Sequence, residues 1–295
     1  MSFRVGYVAI VGVPNVGKST LMNALLGQKL SIVTPKPQTT RHKILGVLTG
    51  EDYQMIFLDT PGIMKPKYQL QEVMVKAALS AIEDADLILL MVEAREEPRD
   101  KEISLVEGIK NATKTIILVI NKIDLIKKAL LLPLIDRYSK LHEFADIVPI
   151  SALTGDGLDI LLKVIAERLP EGEPFYPPDV LTQHPERFFV SEIIRERIFE
   201  RYRKEIPYST AVKIEEFKER PGRKDYIRAI VYVERDPQKA ILIGKDGAAL
   251  KEVGQSARRE IESFLGRPVY LELWVRVREK WRKDTKAIKE FGYRW

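Results

Sequence analysis

Residues 12–19 read Gly-Val-Pro-Asn-Val-Gly-Lys-Ser and lie between an apolar run at 8–11 and a helical pattern that opens at Ser19. The glycines allow the backbone to curl so that successive N–H groups point inward, and the following helix N-terminus adds partial positive charge. The sequence therefore predicts a phosphate-binding loop. Lys18 would reach the β- and γ-phosphates of a nucleotide, and the Ser19 hydroxyl would ligate Mg²⁺. The other loop residues expected at the nucleotide are Asn15, Val16, Gly17 and Thr20.

A second motif, Asn-Lys-Ile-Asp at 121–124, follows a strand-like run and indicates which base is bound. The Asp124 carboxylate would accept hydrogen bonds from N1–H and the exocyclic amine of guanine, and adenine lacks both donors. Asn121 would brace the phosphate loop, and Lys122 would lie along the base or ribose. Ser151 and Ala152 follow a short predicted strand and match a further base-contact loop, in which the Ala152 N–H reaches guanine O6. The order of these motifs along the chain predicts GTP as the ligand.

The third element, Asp-Thr-Pro-Gly at 59–62, ends another strand-like run. Asp59 would hold Mg²⁺ through water, and the Gly62 N–H would detect the γ-phosphate. Thr39 and Thr40 lie in a polar, proline-punctuated stretch at 31–41, as expected of a loop that orders around a γ-phosphate and Mg²⁺. The residues expected in catalysis and switching are Asn15, Lys18, Thr39, Thr40 and Gly62.

These motifs resemble those of the translation-factor-like GTPases, especially the group with the patterns P-N-V-G-K-S and T-T-R. The resemblance implies that Thr40 ligates Mg²⁺, whereas Thr39 has the alternative of a solvated loop residue. Ile63 stands where Ras-like proteins place the Gln that orients the attacking water, so hydrolysis should be slow unless an ion, the backbone or a partner positions it. In the resembled group an Asn at the position of Asn15 helps to bind K⁺; the alternative is that Asn15 only stabilises the turn.

Strand and helix patterns alternate from residue 3 to about 169, which predicts a doubly wound α/β domain with every nucleotide motif beyond a strand's carboxyl end. The proline-dense stretch that follows predicts a stiff, extended linker. We expect a P-loop GTPase domain at 1–170, the linker at 171–186 and a second domain at 187–295.

The second domain has an apolar helical face at 187–205, two alternating strands, a Gly-Lys-Asp-Gly turn at 244–247, a further helix and a last strand at 269–277. This order resembles a smaller α+β KH domain of type II, in which a G-x-x-G loop holds single-stranded RNA. The alternative for the turn is an ordinary interhelical connection. Lys251 and Arg258 could equally lie on a solvated helix face. Trp281 and Trp295 could stack on bases, while Trp274 is expected to pack under another helix. The residues expected at RNA are Gly244, Lys245, Asp246, Gly247, Lys251, Arg258, Lys280, Arg282 and Lys283.

Charge and composition narrow the setting. The formal net charge is +6, and residues 276–295 carry eight basic and three acidic residues, which suggests a polyanion partner, RNA or acidic lipid, against the alternative of a solvated tail. Absence of cysteine excludes a disulfide framework, a zinc–thiolate site and a cysteine nucleophile. No apolar run approaches the ~20 residues of a membrane span, so a cytoplasmic location is expected.

Together the two domains resemble the Era family of bacterial GTPases, on the motifs quoted above and the run Phe-Phe-Val-Ser-Glu-Ile-Ile-Arg-Glu from residue 188. The resemblance implies GTP and Mg²⁺ as ligands, binding to small-subunit rRNA near its 3′ end, a role in 30S assembly, and peripheral association with the inner membrane in some species. A monomer is the default. The alternatives are an RNA-binding assembly module with a nearly inert GTPase domain, and a lipid- or protein-triggered membrane-surface GTPase.

Overall fold

The computed structural model describes residues 2–109 and 113–293. Six strands form the sheet of the first domain: β1 (Arg4–Gly12), β2 (Ile44–Thr49), β3 (Tyr53–Asp59), β4 (Leu87–Glu93), β5 (Thr115–Asn121) and β6 (Asp146–Pro149). Their order is β2-β3-β1-β4-β5-β6, and only β2 runs antiparallel to its neighbour. The predicted doubly wound α/β fold is confirmed.

Five helices cover this sheet: α1 (Lys18–Leu26), α2 (Gln69–Asp84), α3 (Asp100–Ile109), α4 (Leu131–Ser139) and α5 (Leu158–Arg168). Coverage on both faces explains the continuous apolar strands, because a parallel sheet between two helix layers has no solvated side. The six residues from Leu87 to Val92 are all fully buried. The strands whose ends carry the nucleotide motifs are therefore fixed in the buried core of the domain.

The second domain contains α6 (Glu186–Arg201), α7 (Ile206–Ser209), β7 (Ala211–Lys218), β8 (Asp225–Val233), α8 (Asp236–Ile243), α9 (Ala248–Leu265), β9 (Val269–Val277) and α10 (Thr285–Glu290). β7 and β8 pair antiparallel, and β8 and β9 pair in parallel. Apolar residues of α6, α8 and α9 pack with the sheet in one core. This confirms the predicted α+β, KH-like second domain.

Helix α6 is shorter than the helix predicted at 187–205. It ends at Arg201 because Tyr202 adopts an extended backbone conformation. The Tyr202 side chain is buried, and its hydroxyl donates to the Leu242 carbonyl at 2.6 Å. The helical pattern continued through Tyr202 in sequence, but a tertiary hydrogen bond to α8 fixes this residue outside the helix.

The proline-dense linker lies along β2, at the edge of the first sheet. The Val47 N–H donates to the Leu181 carbonyl at 2.8 Å, and the Thr182 hydroxyl donates to the Leu45 carbonyl at 2.6 Å. The Leu45 N–H donates to Nε2 of His184 at 3.3 Å. The linker therefore covers the free hydrogen-bonding groups of an edge strand, which would otherwise invite pairing with another chain.

A third apolar cluster joins the two domains, and we call it the junction core. It contains Leu70, Val73 and Met74 of α2 with Ala211, Trp281, Ala287, Ile288, Phe291 and Tyr293 of the second domain. Trp281 is fully buried, and its indole N–H donates to the Ser209 carbonyl at 2.8 Å. The prediction that Trp281 stacks on bases is therefore wrong. Among the described residues, no helix combines the length and apolarity needed to cross a bilayer.

We predict that His184 makes the linker acid-sensitive. Burial lowers the pKa of His184 below its ordinary value of 6.5, and its neutral Nε2 is the acceptor for Leu45. Because the unfolded chain binds this proton more readily, stability should fall as pH drops below about 6.5. Chemical denaturation at several pH values should show a weaker acid loss for His184→Gln. His142→Gln, at a histidine of the first domain, is the control; an equal effect of both variants would contradict the assignment.

Candidate functional site

The predicted phosphate loop connects β1 to α1 at the carboxyl edge of the sheet. Asn15 and Gly17 have left-handed backbone angles, with φ of 67° and 102°. The loop borders a cavity of about 540 Å³. The predicted nucleotide residues that line this cavity are Asn15, Gly17, Lys18, Ser19, Thr20, Thr39, Thr40, Gly62 and Lys122. The fully buried Val16 supports the loop from beneath.

Asn121 braces the phosphate loop from β5. Its Nδ2 donates to the Val16 carbonyl at 2.8 Å. A Cβ at Gly17 would lie 2.2 Å from that nitrogen, and the left-handed φ of Gly17 disfavours any side chain. Glycine at residue 17 is therefore needed both for the backbone turn and for the contact between Asn121 and the predicted phosphate loop.

Lys18 is buried at the start of α1, and its ammonium donates to the carbonyls of Gly12 and Val13 at 3.2 and 3.3 Å. Burial lowers the pKa of Lys18 to about 8, and the nearby Asp59 carboxylate opposes that shift. Two neutral carbonyls compensate a buried ammonium only partly, since buried charges need charged partners or several hydrogen bonds. A phosphate group in the cavity would supply the missing negative charge.

The predicted base-binding residues lie beyond the predicted phosphate loop. Lys122 donates to the Asn15 carbonyl at 2.9 Å and lies 3.4 Å from Glu93 Oε1. Asp124 is exposed and accessible to a base. The hydroxyl of the buried Ser151 accepts from the Thr154 N–H.

The Ala152 N–H was expected to face guanine O6, but it donates to Asn121 Oδ1 at 2.9 Å. Binding of O6 by this group would require that bond to be shared or exchanged. The Ala152 N–H is therefore already hydrogen-bonded within the protein at the position where it was expected to meet the base.

The three predicted Mg²⁺ residues lie together. The Ser19 hydroxyl donates to Asp59 Oδ2 at 2.7 Å and lies 2.8 Å from the Thr40 hydroxyl. Asp59 is fully buried, burial raises its pKa, and its Oδ1 has no hydrogen-bond partner among the described residues. Hard oxygen donors around an unsatisfied carboxylate oxygen suit Mg²⁺. The donor set therefore fits the ion.

Thr39 and Thr40 have different surroundings. The Thr39 hydroxyl lies 2.6 Å from the Thr34 hydroxyl and donates to the Lys36 carbonyl at 2.7 Å, so it holds the loop's own shape. Gly62 approaches the phosphate loop so closely that a Cβ would lie 2.7 Å from the Pro14 nitrogen. The following Ile63 is half-buried and packs on the core of the first domain, where its aliphatic side chain can bind no water.

The cavity also has walls that the sequence reasoning missed. Glu93, Arg95, Arg99 and Gln38 line it. Arg95 and Arg99 pair with Glu93 at 3.0 and 3.5 Å. Position in the sheet could have found three of them, because Glu93 ends β4 and Arg95 and Arg99 follow it at the edge where open α/β sheets bind ligands. Gln38 lies in the loop before β2 and has no such signal.

In the second domain the predicted G-x-x-G turn connects α8 to α9. Gly244, Asp246 and Gly247 have φ values of 74°, 52° and 77°, and Lys245 and Asp246 are exposed. A Cβ at Gly244 would lie 2.6 Å from the Ala249 Cβ, whereas one at Gly247 would meet open space. Gly244 therefore serves packing, and Gly247 leaves the turn's surface open to a ligand.

The other predicted RNA residues divide by exposure. Lys251, Lys280 and Lys283 are exposed, while Arg258 pairs with Glu262 at 3.2 Å. Arg282 is partly buried, bound to Glu234 and placed over the Tyr68 ring of the first domain. Trp274 was expected under another helix, but it is 52% exposed on β9, and that expectation is wrong. Trp295 lies outside the described residues.

We predict that Gly17→Ala weakens nucleotide binding while the matched Gly27→Ala does not. Both glycines have positive φ, but a Cβ at Gly27 meets nothing within 4 Å. Displacing Asn121 in addition to backbone strain should cost on the order of tenfold or more in GDP affinity. Titration with a fluorescent GDP measures this; equal affinities of the two variants would contradict the role of the Gly17–Asn121 contact.

Comparison with known proteins agrees with the two domains. A family model described as 50S ribosome-binding GTPase matches residues 7–122, and a KH domain model matches residues 205–282. GTPase Era of Geotalea uraniireducens is 50% identical over 99% of this chain and 98% of its own length. GTPase Era of Lacticaseibacillus paracasei is 49% identical over 98% and 96%.

A solved structure of an Aquifex aeolicus Era variant bound to GDP·AlF4⁻ superimposes with a TM-score of 0.96 at 48% identity, covering 99% of this chain and all of that one. A second solved structure, Era with MgGDPNP and nucleotides 1506–1542 of 16S ribosomal RNA, matches with the same TM-score and identity. Near-complete coverage at about half identity, on top of the two-domain geometry, shows that this chain belongs to the Era family of GTPases.

Proposed function

We propose that this GTPase binds small-subunit rRNA near its 3′ end in a nucleotide-dependent manner and acts in the cytoplasm in assembly of the 30S subunit. The solved Era complex with a GTP analogue and a 16S rRNA segment supports the choice of ligand. The observation that carries the nucleotide dependence lies in this chain: one loop contacts both the Mg²⁺ residues and the KH domain. We call residues 33–41 the switch loop.

The carboxyl end of the switch loop holds the two domains together. Thr40 lies against Ser19, and its neighbour Arg41 is buried in the second domain. Arg41 donates to the Thr210 carbonyl at 2.7 Å and to the Pro207 carbonyl at 3.1 Å. A displacement of Thr40 away from Ser19 and Asp59 would therefore disturb the hydrogen bonds that Arg41 makes to the KH domain.

The beginning of the switch loop makes a second set of contacts, with α6 and with Tyr202, the residue that follows it. The Val33 N–H donates to Glu196 Oε1 at 2.9 Å. Lys36 donates to the Tyr202 carbonyl at 2.6 Å and also to the Phe199 carbonyl. Both ends of the loop are thus bound to the second domain while its middle borders the nucleotide cavity.

These contacts give a physical route for switching. A γ-phosphate and Mg²⁺ order such a loop, and their loss on hydrolysis releases it. Two solved relatives that match over the whole chain hold a GTP analogue or GDP·AlF4⁻. We assign the arrangement in which Thr40 lies against Ser19 to the triphosphate state. By linkage, RNA that binds the docked KH domain better must favour GTP by the same factor.

The residues of the cavity suit phosphoryl transfer. Bound Mg²⁺, held by Ser19 and Thr40 directly and by Asp59 through water, would neutralise charge on the β- and γ-phosphates. Lys18 would bind the same oxygens, and the Gly62 N–H would bind the γ-phosphate. Because Ile63 offers no polar group to the attacking water, we expect slow intrinsic hydrolysis.

Asn15 is the residue through which K⁺ would act. Its Nδ2 donates to the Pro35 carbonyl of the switch loop at 3.0 Å, which leaves Oδ1 as an oxygen ligand beside the cavity. A cation at this point would lie between the phosphate loop and the switch loop, where it would stabilise the negative charge of the transition state.

Peripheral association with an anionic membrane is a separate proposal. It rests on Lys280 and Lys283, two exposed lysines that are also predicted to contact RNA. Liposome sedimentation with RNA as competitor separates the two, since a shared surface predicts that RNA displaces the lipid.

We predict faster GTP turnover in KCl than in NaCl at matched ionic strength. Asn15→Gly should remove the difference, because glycine keeps the left-handed backbone of residue 15 while it deletes the oxygen ligand. The single-turnover rate is the measurement. Equal rates of the wild type in the two salts would exclude a role for K⁺.

We predict that Gly247→Asp weakens binding of an oligonucleotide that matches the 3′ end of 16S rRNA by about tenfold or more, because the new carboxylate would face RNA phosphates. Hydrolysis stimulated by the oligonucleotide should fall with it, while GDP affinity stays unchanged. Fluorescence anisotropy with GDP and with a non-hydrolysable GTP analogue measures affinity in both states.

Gly266→Asp is the matched control for this variant. Gly266 also has positive φ and open space around its Cβ position, but it lies at the other end of α9. Equal losses in the two variants would show an effect of charge or folding alone. Equal RNA affinity of the wild type with GDP and with the analogue would contradict the proposed coupling.

A further inference from the structure

A cleft of about 510 Å³ lies between the two domains, away from the nucleotide cavity and the G-x-x-G turn. We call it the junction cleft. Its walls are Tyr68, which directly precedes α2, the start of α8, and the turn that follows β9. Four cations line it, Arg235, Lys280, Arg282 and Lys283, together with three acids, Glu234, Asp236 and Glu279.

The cations of the cleft differ in whether an acidic residue pairs with them. Arg282 is paired with Glu234, so this ion pair adds little net charge. Lys280 and Lys283 are exposed at the mouth of the cleft, and no salt bridge to a described residue occupies either. Two exposed ammonium groups on one wall are suited to phosphate groups of the RNA backbone.

The turn that carries these lysines is rigid. Trp281, between them, is fully buried in the junction core and bonded to Ser209. Residues Trp281–Lys283 form a short 3₁₀ turn, which begins after Lys280 in a left-handed conformation. Backbone fixed in this way reduces the entropy lost when a ligand binds the lysines.

Tyr68 connects this turn to the switch loop. The Arg282 guanidinium lies 5.0 Å from the centre of the Tyr68 ring. The Tyr68 hydroxyl donates to Gln38 Oε1 at 3.2 Å, and Gln71 donates to the same oxygen at 3.1 Å. Gln38 is two residues before Thr40 and has a φ of 63°. A continuous set of contacts thus runs from the cleft to the metal residues.

We propose that the junction cleft binds phosphate groups of the RNA backbone and that Tyr68 makes this binding depend on the switch loop. The proposal rests on the function proposed above and names a second RNA contact for it. Because the cleft has walls from both domains, it is complete only while Tyr68 lies against Arg282. A ligand that fills it therefore binds the docked arrangement better and shifts the population toward it.

The lysines are tested by Lys280→Ala/Lys283→Ala. With the GTP analogue, the salt dependence of RNA affinity should fall by about 2 in log–log slope, roughly one per lost phosphate contact. With GDP the decrease should be smaller, since the cleft is then incomplete. Lys140→Ala/Lys163→Ala removes the same charge from the residue after α4 and from α5, and should change neither slope. An equal effect of the cleft variant in both nucleotide states would overturn the proposal.

Tyr68→Phe tests the coupling, because it keeps the ring under Arg282 and removes the hydroxyl that Gln38 accepts. The ratio of RNA affinity with the GTP analogue to that with GDP should decrease about fivefold, the effect of one hydrogen bond. Gln38→Ala should give a similar loss. Tyr176→Phe, which removes a hydroxyl from the linker, should leave the ratio unchanged. Thermal unfolding checks that each variant is folded.

The outcomes separate the two proposals. A wild-type ratio of one would overturn the nucleotide coupling and this inference with it. A wild-type ratio above one that persists in Tyr68→Phe would overturn only the inference. Inorganic phosphate at matched ionic strength tests a free anion as occupant; RNA should remain bound in its presence, and loss of the lysine-dependent part of RNA affinity would assign the cleft to the free anion.

Discussion

The constraint on which the rest of the structure depends is that two neighbouring residues, Thr40 and Arg41, belong to different domains in their contacts. The Thr40 hydroxyl lies 2.8 Å from the Ser19 hydroxyl at the predicted Mg²⁺ site. Arg41 is 3% exposed among carbonyls of residues 207–210 and the Tyr293 hydroxyl. Removing Arg41 would take a donor from these acceptors. The Pro207 carbonyl would keep the Thr210 hydroxyl, and each buried acceptor left without a donor would cost about 1–3 kcal/mol. A packed contact of this kind is either made or broken, so the proposed switching would occur between two discrete positions of the loop.

The nucleotide site is electrostatically incomplete without its ligand. Burial lowers the pKa of Lys18 to about 8 and raises the pKa of Asp59. Both shifts disfavour the charged form of the side chain. Phosphates beside Lys18 and a divalent cation beside Asp59 would reverse both effects. The same burial strengthens the attraction of these side chains for the charges of the ligand, since electrostatic interactions are larger where water is excluded. Nucleotide binding should consequently stabilise the whole domain.

Most of the nucleotide site was predictable because its geometry is local: glycines at fixed spacing, a following helix and strand ends determine where Lys18, Ser19 and Asp59 lie. The junction was not predictable, because its contacts join residues far apart in sequence. A tryptophan between cationic residues is typical of a base-stacking site. Only its packing with α2 shows that Trp281 is a core residue. The Ala152–Asn121 bond was missed for the same reason, since the two loops meet only in the fold.

The end of the chain completes the switch. Arg41 donates hydrogen bonds to carbonyls of residues 207–210 and to the Tyr293 hydroxyl. Apolar residues of α2 pack against apolar residues of 281–293. An isolated first domain would expose Leu70, Val73 and Met74 and would leave Arg41 in water. Its switch loop would then be ordered by nucleotide alone, without the contacts of the KH domain. Under the proposed coupling, the energetic difference between the two nucleotide states is a property of the full chain, since the second domain binds both ends of the switch loop.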